Sequence, residues 1–184
     1  IFKGTDGSSD ITALTLDMSE AGAAAFNSAV TATTFNGIPF YTQSAHNSMY
    51  THDVSATDNE AFANTSYGFD TLKSITTGDN NVAIGNDAGQ LINTGSSNTI
   101  VGSAAGDALT TGVRNVAIGA NALSAEDAHG YNVAVGYSAL SVQNAGADAY
   151  NVAVGYEAGK SVTTGDKNTI IGSLAGDSIQ DGVL

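Results

Sequence analysis

The chain of 184 residues is long enough for one domain or two small ones, and only 12% of its residues are charged. Five basic residues stand against 18 acidic ones, and this formal net charge of −13 argues against partners such as nucleic acid or an anionic membrane surface. The sequence has no cysteine and no apolar run approaching ~18 residues, so it offers no disulfide framework, no thiolate metal site and no candidate for membrane insertion.

The first 46 residues carry no repeat. Leu14, Leu16 and Met18 alternate with polar residues, which predicts a half-buried strand. Residues 23–32 read as the second strand of a hairpin or, alternatively, as a short alanine-rich helix with Ser19 as its N-cap, and the β-prone residues that follow favour the hairpin. Pro39 lies in the connector to the next region. We therefore predict a small β-rich segment with its connector over residues 1–46.

From residue 47 onward the chain repeats an asparagine, an apolar triplet and a glycine, as in Asn81-Val82-Ala83-Ile84-Gly85. The asparagines recur at steps of 17, with one step of 19 after Asn132, and a degenerate copy begins at Asn47. A short fixed period is typical of a solenoid, in which each unit buries its apolar side chains against its neighbours. We predict an all-β fold, a β-solenoid (parallel β-roll) of 17-residue coils over residues 47–184. The repeat asparagines of its seven full coils are Asn64, Asn81, Asn98, Asn115, Asn132, Asn151 and Asn168.

Counting each coil from its asparagine as position 0 aligns the coils in columns. Position +3 is apolar or aromatic throughout, so we predict that it points into the coil. This core ladder comprises Ile84, Val101, Ile118, Val135, Val154 and Ile171. Position +4 predicts structural corner glycines, because a Cβ there would obstruct a positive φ or a close backbone approach. They are Gly68, Gly85, Gly102, Gly119, Gly136, Gly155 and Gly172.

Three other columns complete the predicted coil. Position +2 is interpreted as a subunit contact, and the alanines at +7, such as Ala88 and Ala122, as a small-residue face on which copies of the chain approach one another. Position +11 is mostly apolar, and position +14 is usually glycine preceded by threonine. Each coil is therefore expected to contain two strands separated by two corners. The same spacing places the start of a further coil at position 185.

The motif resembles the head repeat of trimeric autotransporter adhesins, in which an asparagine precedes Val-Ala-Ile-Gly, over about Asn64 to Gly182. The 17-residue form with Thr-Gly before the asparagine also resembles repeat regions of bacteriophage tail fibres, and residues 14–27 resemble a segment of marine phage fibres. The resemblance implies a homotrimer of left-handed parallel β-rolls. The 19-residue coil at Asn132 departs from the pattern.

The resemblance implies a structural and adhesive segment of a viral tail fibre in the virion. Such a rigid trimer carries or contributes to host-surface recognition, with a host glycan or protein as its outside partner. The alternative is the head domain of a bacterial trimeric autotransporter adhesin on the bacterial outer surface. An ice-binding β-solenoid is a third reading, based on a column of threonines. These are Thr77, Thr94, Thr111 and Thr164.

The sequence predicts no enzyme, no catalytic residue, no metal ligand and no cofactor. His46, His52 and His129 lie far apart and share no metal-ligand spacing. Nucleophile-elbow, dinucleotide-binding and calcium-binding nonapeptide motifs are missing from the sequence. Solvated turns are expected at Asp79, Asp107, Asp166 and Asp177. Tyr137 and Tyr156 follow corner glycines in neighbouring coils and are expected to stack on one outer edge, whereas the receptor-binding residues are not identified.

Overall fold

The computed structural model describes residues 34–35, 38–39, 41–43, 48–50 and 60–179, and these residues form strands and turns without a helix. Strands β1 (Thr34–Phe35) and β2 (Ile38–Pro39) pair antiparallel as a two-stranded sheet. The predicted strands over residues 14–32, and with them most of the predicted segment 1–46, lie outside the described residues.

The main sheet contains nine strands in chain order. Strand β3 (Tyr41–Gln43) is antiparallel to β4 (Ser48–Tyr50), and every later strand is parallel to its neighbour. The later strands are β5 (Thr65–Tyr67), β6 (Val82–Ile84), β7 (Thr99–Val101), β8 (Val116–Ile118), β9 (Val133–Val135), β10 (Val152–Val154) and β11 (Thr169–Ile171). Val82 pairs with Thr99 and Thr99 with Val116, so each strand lies in register on its copy one coil later. The β-solenoid of 17-residue coils is therefore confirmed.

The predicted core ladder at +3 is wrong, because the strands turn their middle residue inward. In β6 and β8 the burial runs half-buried, buried, exposed, so Ala83 and Ala117 face the interior while Ile84 and Ile118 face out. Successive residues of a strand point to opposite faces, so a three-residue strand with +2 inside must place +1 and +3 outside. The other members of the predicted ladder, Val101, Val135, Val154 and Ile171, are half-buried or exposed as well.

The degenerate first coil shows the same rule with a shifted register. Met49 of β4 pairs with Thr65 of β5, which moves the pairing by one residue relative to the alignment of asparagines. A slip of one residue exchanges the two faces of a strand. Tyr50 therefore stands next to the inward residue Ser66 and is fully buried, whereas Met49 is 39% exposed.

The interior of the roll is built from positions +2, +7, +8 and +11. The alanines at +7, among them Ala88 and Ala122, are fully buried inside a single chain, so they do not form the predicted face for the approach of copies. The proposed subunit contact at +2 is likewise wrong. The roll is too narrow for large residues in every column, and small residues fill both positions where its walls come closest.

Large side chains are shared between positions +2 and +8. Coils with leucine at +8 carry alanine or serine at +2, as Leu123 does with Ala117. Where Ile100 occupies +2, position +8 is Gly106, and a Cβ there would lie 3.1 Å from the Cδ1 of Ile100. The two positions thus fill one space within the coil, and close packing requires that only one of them be large.

Only one strand per coil is formed in the described residues, not the predicted two. Positions −1, +6 and +8 have positive φ in every full coil, for example 56° at Asp87 and 57° at Gly89. Such left-handed residues prevent an extended second strand. The turns are still tied from coil to coil, because Leu72 donates its backbone N–H to Ala88 and Ser74 donates to Gln90.

Candidate association face and polar columns

The outward side of the sheet is an apolar stripe that runs across strands β6 to β11. We call it the outward face and define it by positions +1 and +3 of these strands. Its +3 residues include Ile84 at 40%, Ile118 at 38% and Ile171 at 69% exposure. Its +1 residues are half-buried valines in four strands, and threonine in β7 and β11. Exposed apolar surface of this continuity is typical of an interaction site.

The repeat asparagines form a buried polar ladder along the roll. Each side-chain Oδ1 accepts a hydrogen bond from the backbone N–H of the asparagine in the next coil, at 2.8–3.2 Å. In five coils the Nδ2 donates to the carbonyl oxygen at position +14 of its own coil, at 2.7–2.9 Å. Only a short side chain with both a donor and an acceptor satisfies these two backbone groups. This explains why asparagine marks every coil.

The corner glycines lie where the prediction required them. Their φ values run from 126° at Gly172 to 141° at Gly155, a range that side-chain-bearing residues rarely adopt. A Cβ at Gly119 would also lie 2.5 Å from the carbonyl oxygen of Gly136 in the next coil. Both the positive φ and the close backbone approach therefore hold at this column.

Two pairs of tyrosines stack between neighbouring coils. Tyr137 and Tyr156 lie with ring centroids 5.4 Å apart and planes 13° apart, which confirms the predicted stack. Tyr131 and Tyr150, just before two repeat asparagines, form a second pair at 4.9 Å and 19°. Arg114 donates a hydrogen bond to the hydroxyl of Tyr131 at 2.6 Å. The second pair was missed in the sequence, although the equal position of its members within their coils would have revealed it.

Charged groups beside the tyrosines form small exposed networks. Lys160 lies 3.0 Å from Glu157, and its hydrogen bond lowers the pKa of the Glu157 carboxyl. A hydrogen bond with Glu157 raises the pKa of Tyr156. Among the predicted solvated aspartates, Asp177 is exposed, whereas Asp107 is half-buried and burial raises the pKa of its carboxyl. Since exposed ion pairs contribute little to stability, these groups act mainly on the surface charge.

The coils that begin at Asn115 and Asn132 depart from the regular pattern. Their +11 positions hold Glu126 and Gln143, both fully buried, where other coils bury an apolar side chain. His129 replaces the glycine at +14 and lies with its Nδ1 3.1 Å from Oε1 of Glu126. His46 and His52 lie outside the described residues. The sequence signal for this cluster was the interruption of the +11 column next to a coil of 19 residues.

Comparison with protein-family models, with curated proteins and with solved structures finds no match to this chain. In the part of the chain that the structure describes, no helix has the length and hydropathy needed to cross a membrane. The threonines of the column considered for ice binding, Thr77, Thr94, Thr111 and Thr164, are all exposed. That column is interrupted at Ala128.

Proposed function

We propose that this chain is a structural and adhesive segment of a viral tail fibre, in which three copies associate into a rigid β-roll that contributes to host-surface recognition. The observation that carries the proposal is the outward face. Its apolar residues are too exposed in a single chain to serve folding, since Ile171 is 69% and Ile84 40% exposed. A second copy of the chain is the occupant that best fits a stripe repeated at every coil.

The repeat itself explains why the occupant is another copy. An identical chain presents the same apolar residues at the same axial spacing of about 4.8 Å, so every coil finds an equivalent partner. Small dry contacts repeated over several coils add up along a solenoid, whose stability is a sum over neighbouring units. The number of copies, three, and the tail-fibre role follow from the resemblance of the Asn-Val-Ala-Ile-Gly motif to known fibres and adhesin heads.

The surface away from this stripe supports a rod exposed to solvent. The net charge of −13 keeps such an object soluble and limits lateral aggregation. Strand edges are the usual risk of an open sheet, and stacking of coils pairs the edges of all inner strands. The exposed tyrosine pairs offer aromatic surface to a glycan or protein on a host cell.

Immunogold electron microscopy with an antibody raised against the recombinant chain tests the role. On virus particles from the source material, we expect gold at the tail fibres, and preimmune serum serves as the control. Labelling of a bacterial envelope in place of virions would contradict the tail-fibre role and favour the adhesin head. Labelling of neither would contradict both.

A further inference from the structure

A buried polar cluster lies in the irregular pair of coils and resembles no other part of the roll. The +11 column is apolar in the regular coils, as at Ile92 and Leu109, and becomes polar only at Glu126 and Gln143. Both side chains are fully buried. Since a buried charge or amide costs stability unless it is bonded, two such residues in adjacent coils need a physical reason.

Glu126 is only partly compensated by protein groups. Its Oε1 accepts a hydrogen bond from the backbone N–H of His129 at 3.1 Å and lies 3.1 Å from the Nδ1 of the same residue. Its Oε2 has a long contact of 3.5 Å with the backbone N–H of Ala145. A buried carboxylate held by a long contact on one oxygen retains free lone pairs for a cation.

Gln143 gives the second, independent observation. Neither its Oε1 nor its Nε2 has a hydrogen-bond partner, although both are buried. Gln143 follows Glu126 in the same inward column, and the contact of Glu126 with Ala145 brings the next coil against the carboxylate. The Nδ2 of Asn132 is also buried without a partner, whereas its equivalents reach the carbonyl at +14. Such orphaned groups are rare and indicate a missing ligand.

The donor geometry fits a small cation. One ligand atom each from Glu126, Asp127 and His129 lies within 4.8 Å of the others. Tetrahedral Zn²⁺ with ligands at about 2.0–2.2 Å requires separations of roughly 3.4 Å, which small rotations of the side chains provide. Asp127 is exposed and His129 half-buried, so both are free to make these rotations. Two carboxylates with an imidazole suit a borderline divalent metal better than Ca²⁺ or Mg²⁺.

We propose that Glu126, Asp127 and His129 bind one divalent transition-metal ion, represented by Zn²⁺, with the amide oxygen of Gln143 as the fourth donor. The ion neutralises the buried carboxylate and joins two coils where the apolar column is interrupted. It stabilises the irregular pair in place of the packing that the regular coils possess. The proposal does not depend on the tail-fibre role or on the number of copies.

Calorimetric titration of the chelator-treated chain with Zn²⁺, in a large excess of Mg²⁺, tests the site. We expect one Zn²⁺ per chain and a higher unfolding temperature with Zn²⁺, since a ligand that binds only the folded state stabilises it. His129→Asn and Glu126→Gln should each weaken binding at least tenfold. Gln143→Leu should also weaken it, while its own fold stays intact because leucine is the usual type of residue in this column. Asp177→Asn, at an exposed turn, is the matched control.

A second readout separates ligation from a purely structural role. In nitrogen NMR spectra, the imidazole signals of His129 should shift on addition of Zn²⁺, in wild type and in Asp177→Asn. Absence of saturable binding would overturn the proposal. So would unchanged affinity in both His129→Asn and Glu126→Gln, or an equal loss in Asp177→Asn, because these results mean that Zn²⁺ binds only to the general acidic surface.

Discussion

Replacement of a corner glycine by alanine should destabilise the roll through two effects that the chain itself allows us to separate. Gly119 has φ of 129°, and its added Cβ would meet the carbonyl oxygen of Gly136 at 2.5 Å. The unfavourable φ costs of order 1–3 kcal/mol. Forcing a methyl group into a filled space costs about 1–3 kcal/mol more. Gly119→Ala should therefore lower the free energy of unfolding by about 2–6 kcal/mol.

Two matched glycines isolate the contributions. Gly172 has φ of 126°, but within the described residues its Cβ would meet only the Cβ of Ala175, at 3.7 Å. Gly172→Ala should therefore show only the backbone term, of order 1–3 kcal/mol. Gly146 has neither a positive φ nor any atom within 4 Å of an added Cβ. Gly146→Ala should be neutral or stabilise by about 0.4–1 kcal/mol, because alanine restricts the unfolded chain.

Urea unfolding followed by circular dichroism measures all three variants against wild type. We expect the midpoints to fall in the order Gly146→Ala, Gly172→Ala, Gly119→Ala, from highest to lowest. Equal midpoints for Gly119→Ala and Gly146→Ala would refute the claim that the corner backbone requires glycine. Equal losses for Gly119→Ala and Gly172→Ala would refute the part of the cost assigned to the neighbouring coil.

Three further substitutions test the columns. Ala117→Asp should abolish the β-signal in circular dichroism, because it buries an unpaired charge, whereas Ile118→Asp should keep that signal and reduce association; the opposite pattern would restore +3 as the core. Asn98→Ala leaves two buried backbone groups unpaired and should cost roughly 2–6 kcal/mol in urea unfolding, against little for the exposed Asn86→Ala. Burial raises the folded pKa of Asp107, so its ionised form lowers stability as pH rises; Asp107→Asn should raise the melting temperature at pH 7 and little at about pH 3, and an equal change at both would count against this cause.

The period, the parallel register and the corner glycines could be predicted because each depends on spacing alone. A step of 17 residues brings identical strands into register, and a glycine at one place in every coil indicates a backbone that excludes a Cβ. The asparagine column was visible for the same reason. Its role was not, because the ladder depends on backbone groups of other coils, which no single copy of the motif reveals.

The inward side of the strand was predicted wrongly because size was taken as the guide. Isoleucine at +3 looked like core and alanine at +2 like surface, but a narrow roll buries the small residue and leaves the large one outside. The sequence held a signal against this reading. Ile100 at +2 coincides with Gly106 at +8, while Ala117 at +2 coincides with Leu123 at +8. Such an exchange of volume between two columns indicates that both line one space.

The polar cluster was missed because it is assembled across two coils. Glu126 and His129 are three residues apart, which has no special meaning without the turn that brings them together. Gln143 joins them only through stacking. An insertion of two residues also displaces the corner that would otherwise occupy the Nδ2 of Asn132. These contacts depend on local backbone paths that periodicity does not define.

The mass of the unmodified chain in solution tests the central claim most directly, namely that the outward face joins three copies of the roll. Light scattering coupled to size exclusion at micromolar concentration gives this mass without assumptions about shape. The account predicts one species at three times the 18.4 kDa of the single chain. A folded species that remains at 18.4 kDa across the concentration range would contradict it.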